Sequence, residues 1–367
     1  LTNINNESAI RFLDCTFAKN TKNRLTNYVY YSNADSAFIL NRKFEVDDKG
    51  NSFLTLIMIS PFYESFKLEF DTTFDYRKRI RDFIFNKSYL YLIGYDNIDA
   101  FKLSDSNFIF KNSIELNLPP EFIEFDRNHI YLSATAFFPD IHKDSSAYIK
   151  SLNTKNLKIE KTYYFPPPEG IKFTKLKPRK VIDYKNSKVL VADITSYNIN
   201  IYTLEGELLN TIHRDIDCFV SGEKNNQSGR VNPRGLMKAF KKRCLISNAN
   251  FIYDDLIMVT YQTPPEDNSY YNTKHDLWEF KNNEWKILQK DITFDYKPES
   301  SFDPGKFGFH SQYRIDSNII TTVVRKIPFE LNESYYDMTM EEFIDSAGMY
   351  VIENDPGFSI LRYKVER

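Results

Sequence analysis

Cysteine is scarce in this chain. Cys15, Cys218 and Cys244 stand far apart among 367 residues. A small odd number argues against a disulfide framework. Cys218 and Cys244 are able to pair, but buried free thiols are the expectation. Long apolar runs are missing too, so no segment is expected to cross a membrane as a helix. The N-terminus carries no apolar signal segment. The chain starts at Leu1 rather than Met. An upstream segment removed by processing fits that start, and secretion stays open. Metal-ligand spacing is absent as well. His129, His142, His213, His275 and His310 form no HxH or HxxxH pair, and no cysteines form CxxC. Zinc is therefore not expected. No GxSxG elbow, GxxxxGK[ST] loop or GxGxxG turn occurs, which leaves the common nucleophile, phosphate and dinucleotide signatures unfilled. Strong charge of one sign is also lacking. The formal net charge is -2, so no global polyanion-binding role and no nucleic-acid partner is expected, although a local patch is compatible with it.

Aromatic residues, by contrast, are abundant at 16%, with 31 Phe and 25 Tyr, and they favour pleated, half-buried surfaces. The most legible stretch is VLVADITSYNINIYTLEGELLNTI, residues 189–212. Val189 to Ala192 is a compact apolar run, as expected of a strand buried on both faces. Asn186 and Ser187 lie in a turn-rich link before it. Ile199, Ile201 and Tyr202 belong to the next strand. Glu205-Gly206 supplies a tight turn in which Gly gives the positive φ that a hairpin needs. Leu208, Leu209 and Ile212 form the last strand. With Val181 to Tyr184 in front, these residues predict a meander of four short antiparallel strands.

The same opening recurs. Apolar strand, Asp/Asn turn and apolar strand are found at 27–40, 82–94, 122–135, 180–193, 250–262 and 311–324. Matching second hairpins lie at 98–116, 148–165 and 276–292. Second strands begin near Phe38, Tyr89, Ile130, Val189, Ile257 and Ile319, roughly 40 to 70 residues apart. Periods of this size, each unit a four-stranded sheet, are the signature of a β-propeller. The expected fold is therefore all-β: one six-bladed propeller over 1–367, with seven blades as the alternative. The approximate blades are 18–75, 76–117, 118–165, 172–213, 244–293 and 306–367. Residues 9–17 are expected to complete the last blade and close the ring, which removes exposed edges. A short helix is expected at Met340 to Ile344 and a strand at 348–353. Trp278 and Trp285 are expected to pack in the outer part of one blade.

Val191, Ala192, Asp193, Ile201, Tyr202 and Gly206 resemble an NHL-type repeat of the form VAD…I…Y/F…G. The match covers this one blade. At the Asp193 position other units carry Tyr95, Thr135, Gln262 or Val324. The whole chain resembles a divergent six-bladed propeller of the NHL/TolB-like kind, common among bacterial extracytoplasmic lipoproteins. The resemblance implies a scaffold role, a periplasmic or cell-surface location and a lipid anchor upstream of Leu1, with a cytoplasmic location kept as the alternative. It carries over no catalytic residue. Asp193 is expected to tie down a blade loop rather than to act as an acid.

The links between blades hold the candidate binding residues. Arg77 and Arg79 lie before the second blade, Lys177 and Arg179 before the fourth, Arg230 and Arg234 before the fifth, and His310 and Arg314 before the sixth. Four of these five links are cationic, and only the link into the third is acidic. On a shared rim they would focus a positive field at the channel mouth and offer bidentate contact to carboxylate or phosphate. The alternative is solvated loops balanced by acids elsewhere. The expected function is a non-enzymatic, monomeric binding scaffold for an anionic small molecule, glycan or protein. The second reading is a hydrolase or lyase for a glycan or lactone, using His310 and channel-mouth acids, with Asp183, Glu124 and Asp254 inspected first. No cofactor is expected, although a propeller channel can hold calcium through Asp and Asn oxygens.

Overall fold

The computed structural model describes residues 10–18, 28–32, 37–41, 45–46, 48, 52–60, 64–69, 80, 82–86, 89–94, 97–104, 107–116, 120–126, 128–134, 147–166, 180–219, 243–264, 272–292, 308–316, 319–327 and 358–365. Every regular element among them is a β-strand. The expected helix at 340–344 and strand at 348–353 lie outside the described residues. The chain begins with β1 (Ile10–Ala18), β2 (Tyr28–Ser32), β3 (Ala37–Asn41), β4 (Glu45–Val46), β5 (Ser52–Ser60) and β6 (Glu64–Glu69). There follow β7 (Asp82–Asn86), β8 (Tyr89–Ile93), β9 (Asn97–Ser104) and β10 (Asn107–Glu115). Next come β11 (Pro120–Phe125), β12 (His129–Ala134), β13 (Ala147–Asn153) and β14 (Ile159–Phe165). A further meander is β15 (Lys180–Lys185), β16 (Lys188–Asp193), β17 (Asn198–Thr203) and β18 (Leu208–His213). The next is β19 (Leu245–Tyr253), β20 (Leu256–Thr263), β21 (Asn272–Lys281) and β22 (Glu284–Ile292). The last strands are β23 (Gly308–Asp316), β24 (Ile319–Ile327) and β25 (Phe358–Val365).

All six strand-turn-strand openings are antiparallel pairs: β2/β3, β7/β8, β11/β12, β15/β16, β19/β20 and β23/β24. Turn chemistry explains one of these openings and one later hairpin directly. Asn186 and Ser187 join β15 to β16 with φ of 46° and 65°, and Asn282 and Asn283 join β21 to β22 with 55° and 63°. A two-residue loop whose twist matches its strands needs positive φ at both positions, and Asn tolerates it best after Gly. Gly206 is the expected positive-φ residue between β17 and β18, at φ 98°.

Three sheets are four-stranded meanders in chain order: β11 to β14, β15 to β18 and β19 to β22. A fourth has the order β1-β25-β24-β23, with β1 hydrogen-bonded antiparallel to β25. The segment at 9–17 is thus the outer strand of the sheet that ends the chain. The remaining sheet differs from expectation. The units at 18–75 and 76–117 are not separate, because β6 pairs in parallel with β10 through Asn107↔Lys67, Phe108↔Leu68 and Ile109↔Glu69. A nine-stranded sheet results, with the short β4 paired on β5. Both strands are the outer edges of their meanders, and pairing satisfies backbone groups that an edge leaves bare.

Sheets pack face to face. Val189 and Val191 of β16 join Tyr131, Ile149 and Phe165 in one apolar cluster. Leu190 and Ala192, on the opposite face of the same strand, join Phe251, Ile257 and Val259 in another. All four β16 residues are fully buried. A strand covered on both faces has no reason to alternate, which is why it reads as an unbroken apolar run. The fourth strand of each meander behaves differently. In β22 exposed and half-buried residues alternate from Glu284 to Lys290. The inner strands of successive units approach one another: β2 beside β7, β8 beside β11, β11 beside β15, β15 beside β19, β19 beside β23, and β23 beside β2.

Candidate functional site

Of the expected binding residues, Arg77, Arg79, Lys177, Arg179, Arg230 and Arg234 lie outside the described residues. His310 and Arg314 do not belong to a link, as expected, but to β23 itself, where they stand opposite Arg325 and Thr321. Gly308 already pairs with Ile327, so the strand begins before His310.

The base of the link into β19 is described, and it holds a correction. Cys218 and Cys244 are not free thiols; they form a disulfide with Cα atoms 5.1 Å apart. Sequence separation of 26 hides the proximity. One cysteine follows β18 and the other precedes β19, and these neighbouring sheets bring the two strand ends to one rim. The Cys244 N–H donates to the Cys218 carbonyl at 3.0 Å, and Ile246 N–H to Ile194 O at 2.9 Å. The disulfide and the Cys244–Cys218 backbone hydrogen bond thus close a neck between the ends of β18 and β19, and residues 219–243 are the segment between its two cysteines. By sequence they carry seven Lys and Arg (Lys224, Arg230, Arg234, Lys238, Lys241, Lys242 and Arg243) against Glu223 alone.

Beside this neck lies a polar cluster that no motif announces. Arg214, one residue past β18, donates through Nη1 to Asp276 Oδ1 and Oδ2 at 2.8 and 2.6 Å. Its Nη2 donates to Asp291 Oδ2 at 2.8 Å. Tyr197 OH donates to Asp276 Oδ2 at 2.6 Å, and the Asp291 N–H to Asp276 Oδ1 at 2.8 Å. Tyr261 OH donates to Asp291, while Trp278 Nε1 donates to Tyr197 OH at 3.1 Å. Asp276 is fully buried, Arg214 is 17% exposed and Asp291 36%. Burial alone would lift the Asp291 carboxyl, but hydrogen bonds from Arg214 and Tyr261 outweigh it and hold the group below the usual carboxylate range. Burial and the neighbouring carboxylates push the Tyr197 and Tyr261 phenols up. Burial opposes the Arg214 charge, yet its two carboxylates more than compensate. Asp291 itself sits at φ 55° in an irregular part of the β21/β22 pairing, the conformation that aims its carboxylate at Arg214. Both terminal nitrogens of this guanidinium are engaged by carboxylates, and it clamps one sheet to the next.

A second cluster sits on β12 and β14. Asp126 accepts from the N–H groups of Asn128 and His129, both at 2.7 Å, and from Tyr131 OH at 2.8 Å. His129 places Nδ1 3.0 Å from Asp126 Oδ2 and Nε2 2.9 Å from Glu160 Oε2. Of the acids singled out in the sequence, Asp183 is buried and accepts from Phe251 N–H of the next sheet at 2.7 Å. It is engaged by a neighbouring backbone rather than free to act at a channel mouth. Asp254 is exposed and accepts from Asn186 Nδ2 at 2.7 Å. The Glu124 side chain lies outside the description. Asp193 does what was expected: it is buried and accepts from Thr195 N–H and Oγ1 at 2.8 and 2.6 Å. Among the described residues no group of three His, Cys, Asp or Glu side chains is placed to hold a metal ion.

No family model matches the chain, and no curated protein sequence does. Solved structures do match. A member of the DUF4221 family from Bacteroides vulgatus has a TM-score of 0.52 at 9% identity, over 97% of this chain and 98% of that one. The chain is similar to β-propeller-like proteins. Hsv2 from Kluyveromyces lactis has a TM-score of 0.38 at 12% identity, over 88% of this chain and 95% of that one. A protein of unknown function from Bacteroides caccae has a TM-score of 0.39 at 9% identity, over 78% of each chain. The likeness is one of fold. The described residues are all-β and are built largely of four-stranded antiparallel sheets.

Proposed function

We propose that the chain is a six-bladed propeller of the NHL/TolB-like kind that serves as an extracytoplasmic binding scaffold for an anionic ligand or partner. Six openings, and contacts between successive units from β2 through β23 and back to β2, support the blade count. The pairing of β1 with β25 supports closure of the ring by the N-terminal strand.

One observation carries the functional reading: the Cys218–Cys244 disulfide sits at the neck of the most cationic link. Disulfides persist in oxidising compartments, which favours a periplasmic or cell-surface location. By sequence, the segment between the two cysteines carries the largest positive charge of the links. Arg230 and Arg234 there, with Arg77, Arg79, Lys177 and Arg179 of other links and with His310 and Arg314 on β23, would make a positive rim that concentrates anions. Arginine offers planar, bidentate contact to carboxylate, sulfate or phosphate.

Binding of two polyanion probes, heparin and polyglutamate, tests this across a salt series. At a few ångströms in water each charge contributes about 1 kcal/mol. Reversal of two charges, in Arg230→Glu/Arg234→Glu or Lys177→Glu/Arg179→Glu, should therefore weaken binding by at least about tenfold. Lys286→Glu/Lys290→Glu, on the exposed side of β22, should not. Equal effects of the link and β22 pairs, or none from the link pairs, would refute the cationic-rim reading.

A further inference from the structure

The His129 ring raises a question of proton count. Both of its nitrogens face carboxylates: Nδ1 lies 3.1 and 3.0 Å from the two Asp126 oxygens, and Nε2 lies 2.9 Å from Glu160 Oε2. A carboxylate only accepts. A neutral imidazole has one N–H and one bare lone pair. The arrangement is therefore satisfied on both sides only when the ring carries two protons.

The two carboxylates are not equally placed. Asp126 belongs to the turn before β12 and is also held by two backbone N–H groups and Tyr131 OH. Glu160 belongs to β14, the outer strand of its sheet, and has one other donor, Asn153 Nδ2 at 2.9 Å. Its side chain is 44% exposed, so water can take the place of the ring. We propose that His129 is a proton-operated clamp that fastens outer strand β14 to the β11–β12 turn as an imidazolium, and that the neutral ring keeps its proton on Nδ1 toward Asp126 and releases Glu160.

The electrostatics agree in sign. Burial of the ring opposes its charge, but the hydrogen bonds to Asp126 and Glu160 and their charges outweigh it, so the ring holds its proton above the ordinary value of 6.5. Both carboxylates are correspondingly held below their ordinary values. The remaining titratable group against the ring is Tyr131 of β12, its centroid 5.9 Å away; β13 contributes the neutral Asn153, and Tyr184 of the next sheet stacks on Tyr131 at 4.3 Å. A group whose pKa is raised on folding stabilises fully below its unfolded value and loses that contribution as pH rises through the folded value. The clamp is thus closed at pH 6.5 and below, down to where the carboxylates begin to protonate, and opens above 6.5.

Imidazole 15N spectra and amide hydrogen exchange on the intact protein between pH 5.5 and 9 test the clamp. Both His129 nitrogens should stay protonated past pH 6.5, and the neutral form should carry its proton on Nδ1. Exchange of the β14 amides should accelerate in the same step by about fivefold beyond the hydroxide dependence seen in β13, the size of one partly exposed charge-assisted bond. His129→Gln should remove the step, and Glu160→Gln should lower the midpoint. A midpoint at or below 6.5, a neutral ring protonated on Nε2, or β14 exchange that follows β13 throughout would overturn the proposal. The wild-type 15N titration decides the matter even if His129→Gln fails to fold.

Discussion

Asp276→Asn probes the clamp between the fourth and fifth meanders most sharply. The wild-type carboxylate is fully buried and accepts from Arg214 Nη1, Tyr197 OH and the Asp291 N–H. An amide of the same shape offers one accepting oxygen and turns an NH2 group toward donors. Breaking a buried ion pair costs about 3–5 kcal/mol, because the partner charge stays behind. Arg214 retains Asp291 and some water, being 17% exposed, so the loss should fall at the lower end, about 3 kcal/mol. Unfolding entropy near 2.1 cal/mol/K per residue makes each kcal/mol worth about 1.3 °C in a chain of this length. Calorimetry should therefore record a Tm about 4 °C lower. Arg214→Met should cost at least as much, since Asp276 cannot reach water. A loss below about 1 kcal/mol for Asp276→Asn would mean that the network behaves as a surface ion pair, and the reasoning would fail.

Two further perturbations test the frame around it. Replacing Cys218 and Cys244 by serine frees a loop of 26-residue separation, worth about 3.5 kcal/mol of loop-closure entropy; an unchanged denaturant midpoint would show that the bond does not restrain the unfolded chain. Leu190→Ala removes a fully buried side chain between two sheets and should cost about 3–4 kcal/mol, whereas Leu208→Ala, 58% exposed on β18, should stay within about 0.5 kcal/mol; equal effects in thermal scans would contradict the double-faced burial of β16.

Much of the strand pattern was legible because burial leaves a mark on residue order. Val189 to Ala192 and Leu256 to Val259 are unbroken apolar runs, since both faces of β16 and β20 are covered. Hairpins such as β21/β22 show through alternation and Asn turns. What escaped notice depends on the approach of one sheet to another, which has no period. The β6/β10 parallel pairing joins residues about 40 apart through only three rungs. Arg214 meets Asp276 and Asp291 across 62 and 77 residues, and nothing in HRDID distinguishes that arginine from a solvated one. The disulfide is not legible from an odd cysteine count, which says nothing about which strand ends share a rim. Charge in the links was visible from composition alone, whereas their positions follow from how the sheets are fixed to each other.

That fixing is divided between two kinds of contact. Apolar faces supply the bulk of the attraction, but it is non-directional and leaves the angle between sheets loosely set. Polar contacts near the strand ends set it. Tyr91 OH donates to Thr154 O at 3.1 Å and Asn112 Nδ2 to Asn156 O at 2.8 Å, tying the second meander to the third. Tyr202 OH donates to Pro166 O at 2.7 Å between the third and fourth. Lys185 Nζ to Ile252 O at 2.9 Å, Asn186 to Asp254, and Phe251 N–H to Asp183 join the fourth to the fifth near one rim, with Arg214 near the other. Each such bond is short-ranged and angular, so a few of them select one arrangement among the many that an apolar interface would accept. The inter-sheet links start and finish within a few residues of these contacts. The positions of the described link ends are consequently set by buried or half-buried polar pairs. A change at Asp276 is therefore expected to loosen the seam between the β15–β18 and β19–β22 sheets, at whose edge Cys218 and Cys244 lie, without touching any ligand.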